Sequence, residues 1–269
     1  MKIPIYQVDA FTSTLFGGNP AAVVPLEQWL PDGVMQKIAV ENNLSETAFI
    51  VPDKRQGVKN GTAYYAIRWF TPVQEIELCG HATLGSAYII FRYFNENAHA
   101  IEFESLSGKL AVSRNGDLIT LDFPSISFKP TSLRSDVAEA LGAEPALLFD
   151  SNRLMAVFEH EQQILNLKPD FSKLAAIPDV SGIAVTAPGD DSDFVSRFFI
   201  PKFGIDEDPV TGSAHCILIP YWADRLGKTK LFARQLSRRR GELWCELAGE
   251  RVKMSGKVVE YMHGEIEVG

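Results

Sequence analysis

Two short segments of the sequence combine a glycine with polar side chains that could bind an anion or transfer a proton. They are Cys79-Gly80-His81 and Asp208-Pro209-Val210-Thr211-Gly212-Ser213. If the glycine of each segment opens a helix, the first helical turn leaves backbone N–H groups unpaired and carries the positive end of the helix dipole. Such an opening can bind a carboxylate. The alternative is that both glycines only permit tight turns between a strand and a helix.

Glu46 is the candidate acid or base. It stands at the start of an otherwise apolar, strand-like run that reaches Val51, where a carboxylate could serve as a general acid or base. The alternative is an exposed glutamate at a strand end. Asp208 lies just before the second glycine and could orient a hydrogen-bond donor, share a proton or cap the turn.

A metal site drawn from His81, His215, Glu46 and Asp208 has no support from spacing, because the sequence shows no HExxH or other ligand motif. The sequence also lacks a P-loop, a GxSxG elbow and a GxGxxG fingerprint between a strand and a helix. We therefore expect neither a metal nor a nucleotide, flavin or nicotinamide cofactor.

Composition narrows the class of partner. The 269 residues include 34 acidic and 26 basic side chains, for a formal net charge of −8, which disfavours nucleic acid and anionic membrane surfaces as partners. The cysteine count is three, without CxxC spacing, so neither a disulfide framework nor a zinc knuckle is indicated. With no apolar run of membrane-spanning length and no signal-peptide pattern, we expect a soluble cytoplasmic protein.

An internal repeat indicates two related halves. Arg68-Trp69-Phe70-Thr71-Pro72 is echoed by Arg197-Phe198-Phe199-Ile200-Pro201, from position 68 to position 197. The glycine openers recur from position 80 to position 212. Several matches in the same order, at nearly constant offset, are the signature of a duplicated architecture.

Each half predicts the same elements: a strand ending in the Arg-aromatic-Phe run, a buried helix and then paired strands around a glycine turn. The buried helices are expected at 80–91 and 213–226. These elements predict an α+β fold with two pseudo-symmetric lobes, each a β barrel-like sheet wrapped around a central helix. The lobes are expected at residues 1–125 and 126–269, with the last strand possibly returning to the N-terminal lobe and the site in the cleft between them.

Three further helices are predicted from capping residues. Asp32 could cap a helix through Glu41, and Ser132 could cap one that reaches Leu141. Asp170 could cap a short helix near position 174.

At several of these motifs the sequence resembles the PhzF-like family, the phenazine-biosynthesis isomerases and their relatives, which have the diaminopimelate epimerase fold. The resemblance spans almost the full chain. The segments that carry it are Val8-Asp9-Ala10-Phe11, Gly18-Asn19-Pro20-Ala21, Ser45-Glu46-Thr47-Ala48-Phe49, Arg68-Trp69-Phe70-Thr71-Pro72, Cys79-Gly80-His81-Ala82-Thr83 and Glu207-Asp208-Pro209-Val210-Thr211-Gly212-Ser213-Ala214-His215.

The resemblance implies a homodimer that catalyses cofactor-free proton transfer. Glu46 matches the family's catalytic glutamate, which removes a proton from one carbon and delivers it to another. The residues that match the family's supporting polar groups are His81, Asp208 and Ser213. The residues that the resemblance places in substrate binding are Ser45, Gly80, Thr211 and Gly212.

The resulting hypothesis is an isomerase acting on a small, cyclic or unsaturated carboxylate. The family's best-known substrate is trans-2,3-dihydro-3-hydroxyanthranilate. One alternative is a thiol-based amino-acid racemase or epimerase, since Cys79 stands where related racemases carry one of two thiol bases. The repeat pairs Cys79 with Thr211, so the thiol pair is incomplete. The other alternative is a non-catalytic protein that binds a small acid.

Overall fold

The computed structural model describes residues 1–269, which fold as two compact units. The first unit comprises Met1–Asp122 and Ser255–Gly269, and the second comprises Phe123–Met254. The final segment of the chain therefore belongs to the same unit as the first segment.

The first unit is built mainly from β-strands, here numbered in chain order. These strands are β1 (Lys2–Ala10), β2 (Asn19–Pro25), β3 (Glu46–Pro52), β4 (Val58–Lys59), β5 (Thr62–Phe70), β6 (Glu75–Ile76), β7 (Ala100–Ser105), β8 (Gly108–Asn115), β9 (Leu118–Pro124) and β19 (Val258–Glu267). Its helices are α1 (Asp32–Asn42) and α2 (Gly80–Ile89), and α2 continues into a π-helical turn at Ile90–Phe94.

Paired strands of the first unit follow the order β19–β1–β2–β3–β5–β7–β8–β9. The pairs β2–β3 and β5–β7 are parallel, and the others are antiparallel. Along β5, the buried residues Ala63, Tyr65, Ile67 and Trp69 alternate with half-buried ones. This period of two is what a strand with one face on the core requires, and it confirms the predicted strand.

The second unit is a similar mixture of strands and short helices. Its strands are β10 (Lys129–Thr131), β11 (Leu147–Asp150), β12 (Leu154–Val157), β13 (Ile183–Pro188), β14 (Phe194–Ile200), β15 (Ile205–Glu207), β16 (Lys230–Gln235), β17 (Gly241–Ala248) and β18 (Arg251–Gly256). Its helices are α3 (Ser135–Leu141), α4 (Glu161–Asn166), α5 (Phe171–Ala176) and α6 (Gly212–Leu226), with a 3-10 turn at Pro201–Phe203.

The second unit repeats the strand succession of the first. Its order is β10–β11–β12–β13–β14–β16–β17, and its parallel pairs are β12–β13 and β14–β16. The strands from β19 to β8 in the first unit show the same order of parallel and antiparallel pairs as the strands from β10 to β17 in the second. The short strand β15 pairs with β14 as β6 pairs with β5. The duplicated architecture that the sequence predicts is therefore confirmed.

Helices α2 and α6 are buried along most of their length, as their nearly continuous apolar sequence predicts. The structure differs from the prediction only at the ends. α2 gives way to the π-helical turn two residues before the predicted end, and α6 begins one residue earlier, at Gly212. No helix of the protein has the length and apolar character needed to cross a bilayer.

The capping predictions had mixed results. Asp170 accepts a hydrogen bond from the backbone N–H of Lys173 and caps α5, as predicted. Asp32 is the first residue of α1 and makes no capping hydrogen bond, because Pro31 occupies the cap position. Ser132 does not cap α3 either, because the helix begins only at Ser135 and Arg134 occupies the cap position.

Candidate active site

In the first unit, the structure brings Glu46 and His81 together. Glu46 is the first residue of β3, and His81 is the second residue of α2. Glu46 Oε2 and His81 Nε2 are 3.1 Å apart, and the two side chains are 13% and 6% exposed. Both atoms are buried, but their geometry is not that of a hydrogen bond. The contact is therefore an electrostatic pairing of a carboxylate with an imidazole.

The other nitrogen of the His81 ring faces Asn19 and Cys79. Nδ1 lies 3.1 Å from the Asn19 side-chain amide and 3.5 Å from Cys79 Sγ. Asn19 follows Gly18, whose φ of +59° and close approach to the Ala10 carbonyl leave no room for a Cβ atom. An amide can serve either state of the ring, by donating to neutral Nδ1 or, when rotated, by accepting from the imidazolium.

Charge in this cluster is concentrated on Glu46 and His81. Burial raises the pKa of the Cys79 thiol to about 11, so this thiol is neutral near pH 7. Burial also acts to lower the pKa of His81, but Cys79 and Glu46 outweigh it, and the pKa lies well above its ordinary value. With Cys79 neutral, the Glu46 carboxylate is the partner that favours the imidazolium.

The same three side chains offer one oxygen, one sulfur and one nitrogen ligand within 4.8 Å of one another. Glu46 faces Nε2, however, whereas Cys79 contacts Nδ1 on the other side of the His81 ring. One metal ion bonds to a single ring nitrogen, so the two close contacts of the His81 ring do not belong to one set of ligands. It fits a chain of proton-exchanging groups better than a metal centre.

In the second unit, Asp208 and Thr211 form a hydrogen-bonded network at the start of α6. Thr211 Oγ1 donates to Asp208 Oδ2 at 2.5 Å. Gln235 of β16 accepts from the Thr211 backbone N–H at 2.9 Å and donates to the Asp208 carbonyl oxygen at 2.8 Å. These bonds fix the turn that leads into Gly212, and the first turn of α6 has no side-chain cap.

Ser213, the second residue of α6, accepts a hydrogen bond from the guanidinium of Arg153. Arg153 lies just before β12, and its guanidinium is 5.0 Å from the centre of the Phe198 ring. The opening of α6 therefore holds a cation and a hydroxyl in direct contact.

The three consecutive acidic residues before α6 have different environments. Asp206 is exposed. Glu207 accepts two hydrogen bonds from Arg197, at 2.8 and 3.0 Å, and Asp208 accepts from Thr211. Each of the three acidic side chains is thus stabilised in a different way: Asp206 by solvent, Glu207 by an ion pair and Asp208 by a hydroxyl donor.

His215 is a neutral histidine in the core of the second unit. Its Nδ1 lies 2.8 Å from the Thr211 carbonyl oxygen, which requires the proton on Nδ1. Nε2 is buried without a hydrogen-bond partner. Burial lowers the pKa of His215 to about 4, the opposite direction from that of His81.

The residues singled out in the sequence thus fall into two groups. Glu46 and His81 meet in the first unit, with Ser45 on the preceding bend and Gly80 opening α2. The group in the second unit is Asp208, Thr211, Gly212 and Ser213. Neither glycine has a positive φ, so left-handed turn geometry does not explain them.

Sequence reasoning gave no role to three residues in these groups. Asn19 lies within one of the segments that resemble the PhzF-like family, which could have marked it as a site residue. Arg153 and Gln235 lie in no recognised motif. Their contacts with Ser213 and Thr211 span 60 and 24 residues of sequence, and no local pattern signals such pairs.

Comparison with known proteins places the chain in a family. Residues 8–264 match the family described as phenazine biosynthesis-like protein. An uncharacterised isomerase of Pseudomonas aeruginosa is 48% identical over 269 residues, covering 100% of both chains. A PhzF-family crystal structure from Enterococcus faecalis matches with a TM-score of 0.94 and 46% identity, covering 100% of both chains. A hydroxyproline epimerase from Agrobacterium vitis matches with a TM-score of 0.61 and 12% identity, covering 98% of this chain and 92% of that one.

The chain belongs to the PhzF family of phenazine biosynthesis-like proteins. This confirms the family that the motifs indicated, and the match to the epimerase confirms the fold class. Full-length relatives carry the name isomerase, in agreement with the expectation of an enzyme of that class.

Proposed function

We propose that the protein is a cofactor-independent isomerase that moves a proton between two carbons of a small, cyclic or unsaturated carboxylate. The observation that carries this proposal is the Glu46–His81 pair, whose facing atoms are buried and 3.1 Å apart. A carboxylate and an imidazolium in one buried pair provide a base for a carbon acid and a positive charge for the anion that forms.

In the proposed reaction, Glu46 takes a proton from a carbon next to a double bond that is conjugated with the substrate carboxylate. The C–H electron pair enters the conjugated system, and the carboxylic proton of Glu46 exchanges with water. Glu46 then delivers a proton to a different carbon. Atoms and charge balance without an oxidant or reductant. His81 places a positive charge beside the Glu46 carboxylate before the transfer and faces the developing negative charge after it.

The second group of residues would bind rather than transfer the proton. In the proposal, the backbone N–H groups that open α6 and the Ser213 hydroxyl bind the substrate carboxylate. Asp208 and Thr211 hold this turn in position through their hydrogen bond. Ser45 and the backbone at Gly80 have the matching binding role beside Glu46.

The family resemblance supports trans-2,3-dihydro-3-hydroxyanthranilate as the first substrate to test, and it also supports a homodimer. The proposal places the protein in the cytoplasm, which agrees with three cysteines that lack CxxC spacing. A thiol-based racemase is less well supported. Burial raises the pKa of Cys79 to about 11, so little thiolate is present near pH 7, and the repeat gives Cys79 a threonine as partner instead of a second thiol.

The test is deuterium incorporation in D2O, followed by NMR and mass spectrometry. The compounds are dihydro-hydroxyanthranilate and a panel of amino acids, and the proteins are wild type, Glu46→Gln and Glu41→Gln. We expect Glu46→Gln to lower the rate of incorporation by about 10²- to 10⁴-fold. Glu41 is an exposed residue of α1, so Glu41→Gln removes the same charge and should leave the rate unchanged.

Other outcomes distinguish the alternatives. Incorporation that survives Glu46→Gln and disappears in Cys79→Ala would replace the proposal with thiol-based racemisation. Tight binding of a panel compound without any exchange would favour a non-catalytic binding protein.

A further inference from the structure

Arg153 is a half-buried arginine to which the proposed reaction assigns no role. It comes directly before β12, with its guanidinium 5.0 Å from the centre of the Phe198 ring. The guanidinium donates a hydrogen bond to the Ser213 hydroxyl. A permanent positive charge is therefore directed at the first turn of α6.

The two repeated arginines have similar surroundings but are neutralised by a carboxylate. Arg68 and Arg197 each lie over a phenylalanine ring, at 5.2 and 4.9 Å. Each donates two hydrogen bonds to a carboxylate, from Glu75 or Glu207. Arg153 shares the aromatic neighbour but forms no ion pair. A buried cation without a hydrogen-bonded anion is unfavourable, and a carboxylate from a ligand would relieve that cost.

Nearby acidic groups do not take this place. Burial lowers the pKa of Arg153 and the charge of Asp208 raises it, but a guanidinium remains protonated throughout the physiological range. Asp208 accepts a hydrogen bond from the Thr211 hydroxyl and forms no ion pair with Arg153. The guanidinium also has five N–H donors, more than its contact with Ser213 uses.

The repeat shows what this arginine replaces. In the first unit, Ala21 of β2 pairs with Glu46 of β3. When the two units are aligned on their repeated arginines, the strand registers place Arg153 at the position of Ala21 and Gly182 at that of Glu46. A Cβ on Gly182 would lie 2.7 Å from the Phe198 ring. At the position of Glu46 the second unit thus has a glycine, which carries no carboxylate. At the position of Ala21 it has the guanidinium of Arg153.

We propose that Arg153 binds the carboxylate of the substrate through paired N–H donors, together with the hydroxyl of Ser213. This inference rests on the proposed function and specifies its substrate class, a planar carboxylate recognised as an anion. A guanidinium matches the two oxygens of a carboxylate in a bidentate geometry. Because the Ser213 oxygen accepts from Arg153, its own hydrogen is available to donate to the same carboxylate.

The test is equilibrium binding, measured by calorimetry up to millimolar ligand, of benzoate, anthranilate and 3-hydroxyanthranilate and of their neutral amides. Wild type should bind at least one acid about 10-fold or more tightly than the matching amide. In Arg153→Met, this preference should fall by about 10- to 100-fold. Arg153→Lys should retain part of it, because the charge remains and the bidentate fork is lost.

Arg234→Met is the matched control. Arg234 also lies over a phenylalanine ring, at 5.5 Å, but it pairs with Asp191 and Glu242 at 3.7 Å each, and its replacement should leave the preference unchanged. Thermal melts report folding of each variant. If Arg153→Met fails to fold, Arg153→Lys decides the question. An undiminished preference for the acid in Arg153→Met, or in Arg153→Lys where the Met variant does not fold, would overturn the proposal. A wild-type protein that does not prefer any acid over its amide would overturn it as well.

The same titrations on Glu46→Gln separate this inference from the isomerase proposal. Binding that depends on Arg153 while no compound exchanges deuterium would support the carboxylate site and reject the reaction. If deuterium exchange depends on Glu46 while Arg153→Met keeps the preference for the acid, the reaction would be supported and the carboxylate site at Arg153 rejected.

Discussion

The openings of α2 and α6 share a backbone plan and differ in charge. The residue before each helix is extended, with φ and ψ of −141° and 113° at Cys79 and of −116° and 97° at Thr211. In the first unit, the second helical residue is His81, beside the Glu46 carboxylate. In the second unit it is Ser213, beside the Arg153 guanidinium. One duplicated frame therefore carries a carboxylate beside a histidine in one unit and a guanidinium beside a hydroxyl in the other. The two proposals assign proton transfer to the first pair and carboxylate binding to the second.

The two helix histidines extend this comparison. His81 lies beside a carboxylate, and its pKa is raised well above the ordinary value. His215 lies two positions further along its helix, bonds to the Thr211 carbonyl oxygen and has a pKa of about 4. Burial acts in the same direction on both, so the neighbouring charge decides which histidine is cationic near pH 7.

The largest expected effect is on the rate of deuterium exchange. His81→Gln removes the positive charge beside Glu46, and we expect the rate to fall by at least about 100-fold. His215→Asn keeps a donor close to the Nδ1 position and should change the rate by less than about 3-fold. Equal losses in the two variants would show that the histidines contribute to folding alone and would remove the distinction between the helix openings.

The next effect is on the pH dependence of stability. Between pH 6.5 and 4, the unfolded chain binds a proton at His215 that the folded protein excludes, because burial lowers its pKa to about 4. The free energy of unfolding should therefore fall by about 3 kcal/mol across this window as the pH decreases. Denaturant titrations of wild type and His215→Asn measure it, and the variant should lack this component.

His81 should act with the opposite sign. Its pKa is raised in the folded protein, so its stabilising contribution is complete below the unfolded value of about 6.5 and is lost as the pH rises through the folded value. In Glu46→Gln this decline should be smaller, because the carboxylate that favours the imidazolium is absent. An unchanged decline would mean that Glu46 does not determine the charge of His81.

A smaller effect is expected at Gly182, which takes the position of Glu46 in the second unit. A methyl group there meets the Phe198 ring at 2.7 Å and the Phe199 carbonyl oxygen at 3.2 Å. We expect Gly182→Ala to lower the free energy of unfolding by about 1–3 kcal/mol. Gly33→Ala in α1 is the control, because no atom lies within 4 Å of its added Cβ, and it should stabilise the protein by about 0.5–1 kcal/mol. A neutral Gly182→Ala variant would show that this position can accept a side chain.

Much of the fold could be predicted because its signals are local in sequence. The alternation along β5, the apolar length of α2 and the repeated Arg-aromatic-Phe run each lie within a few residues of one another. The positions of Gly80 and Gly212 at the start of their helices and of Glu46 at the start of β3 could be predicted in the same way, from the adjoining strand or helix pattern.

The remaining features depend on contacts that no local pattern encodes. The hydrogen bond between Arg153 and Ser213 joins residues that are 60 positions apart, and the contact between Asn19 and His81 joins residues 62 apart. The start of α3 was misplaced for a related reason. Ser132 has the side chain of a cap, but it directly follows β10, which ends at Thr131, and the helix begins three residues later with Arg134 at its cap position.

The central claim is that the Glu46 carboxylate, and not the Cys79 thiol, moves the proton. The most direct measurement is the position and rate of deuterium incorporation from D2O, read by NMR, in Glu46→Gln and Cys79→Ala side by side. Cys79→Ala should keep wild-type incorporation at a carbon other than the one that loses its proton, and Glu46→Gln should lower it by about 10²- to 10⁴-fold. Incorporation at the same carbon that loses its proton, eliminated by Cys79→Ala and retained in Glu46→Gln, would show that the thiol moves the proton instead.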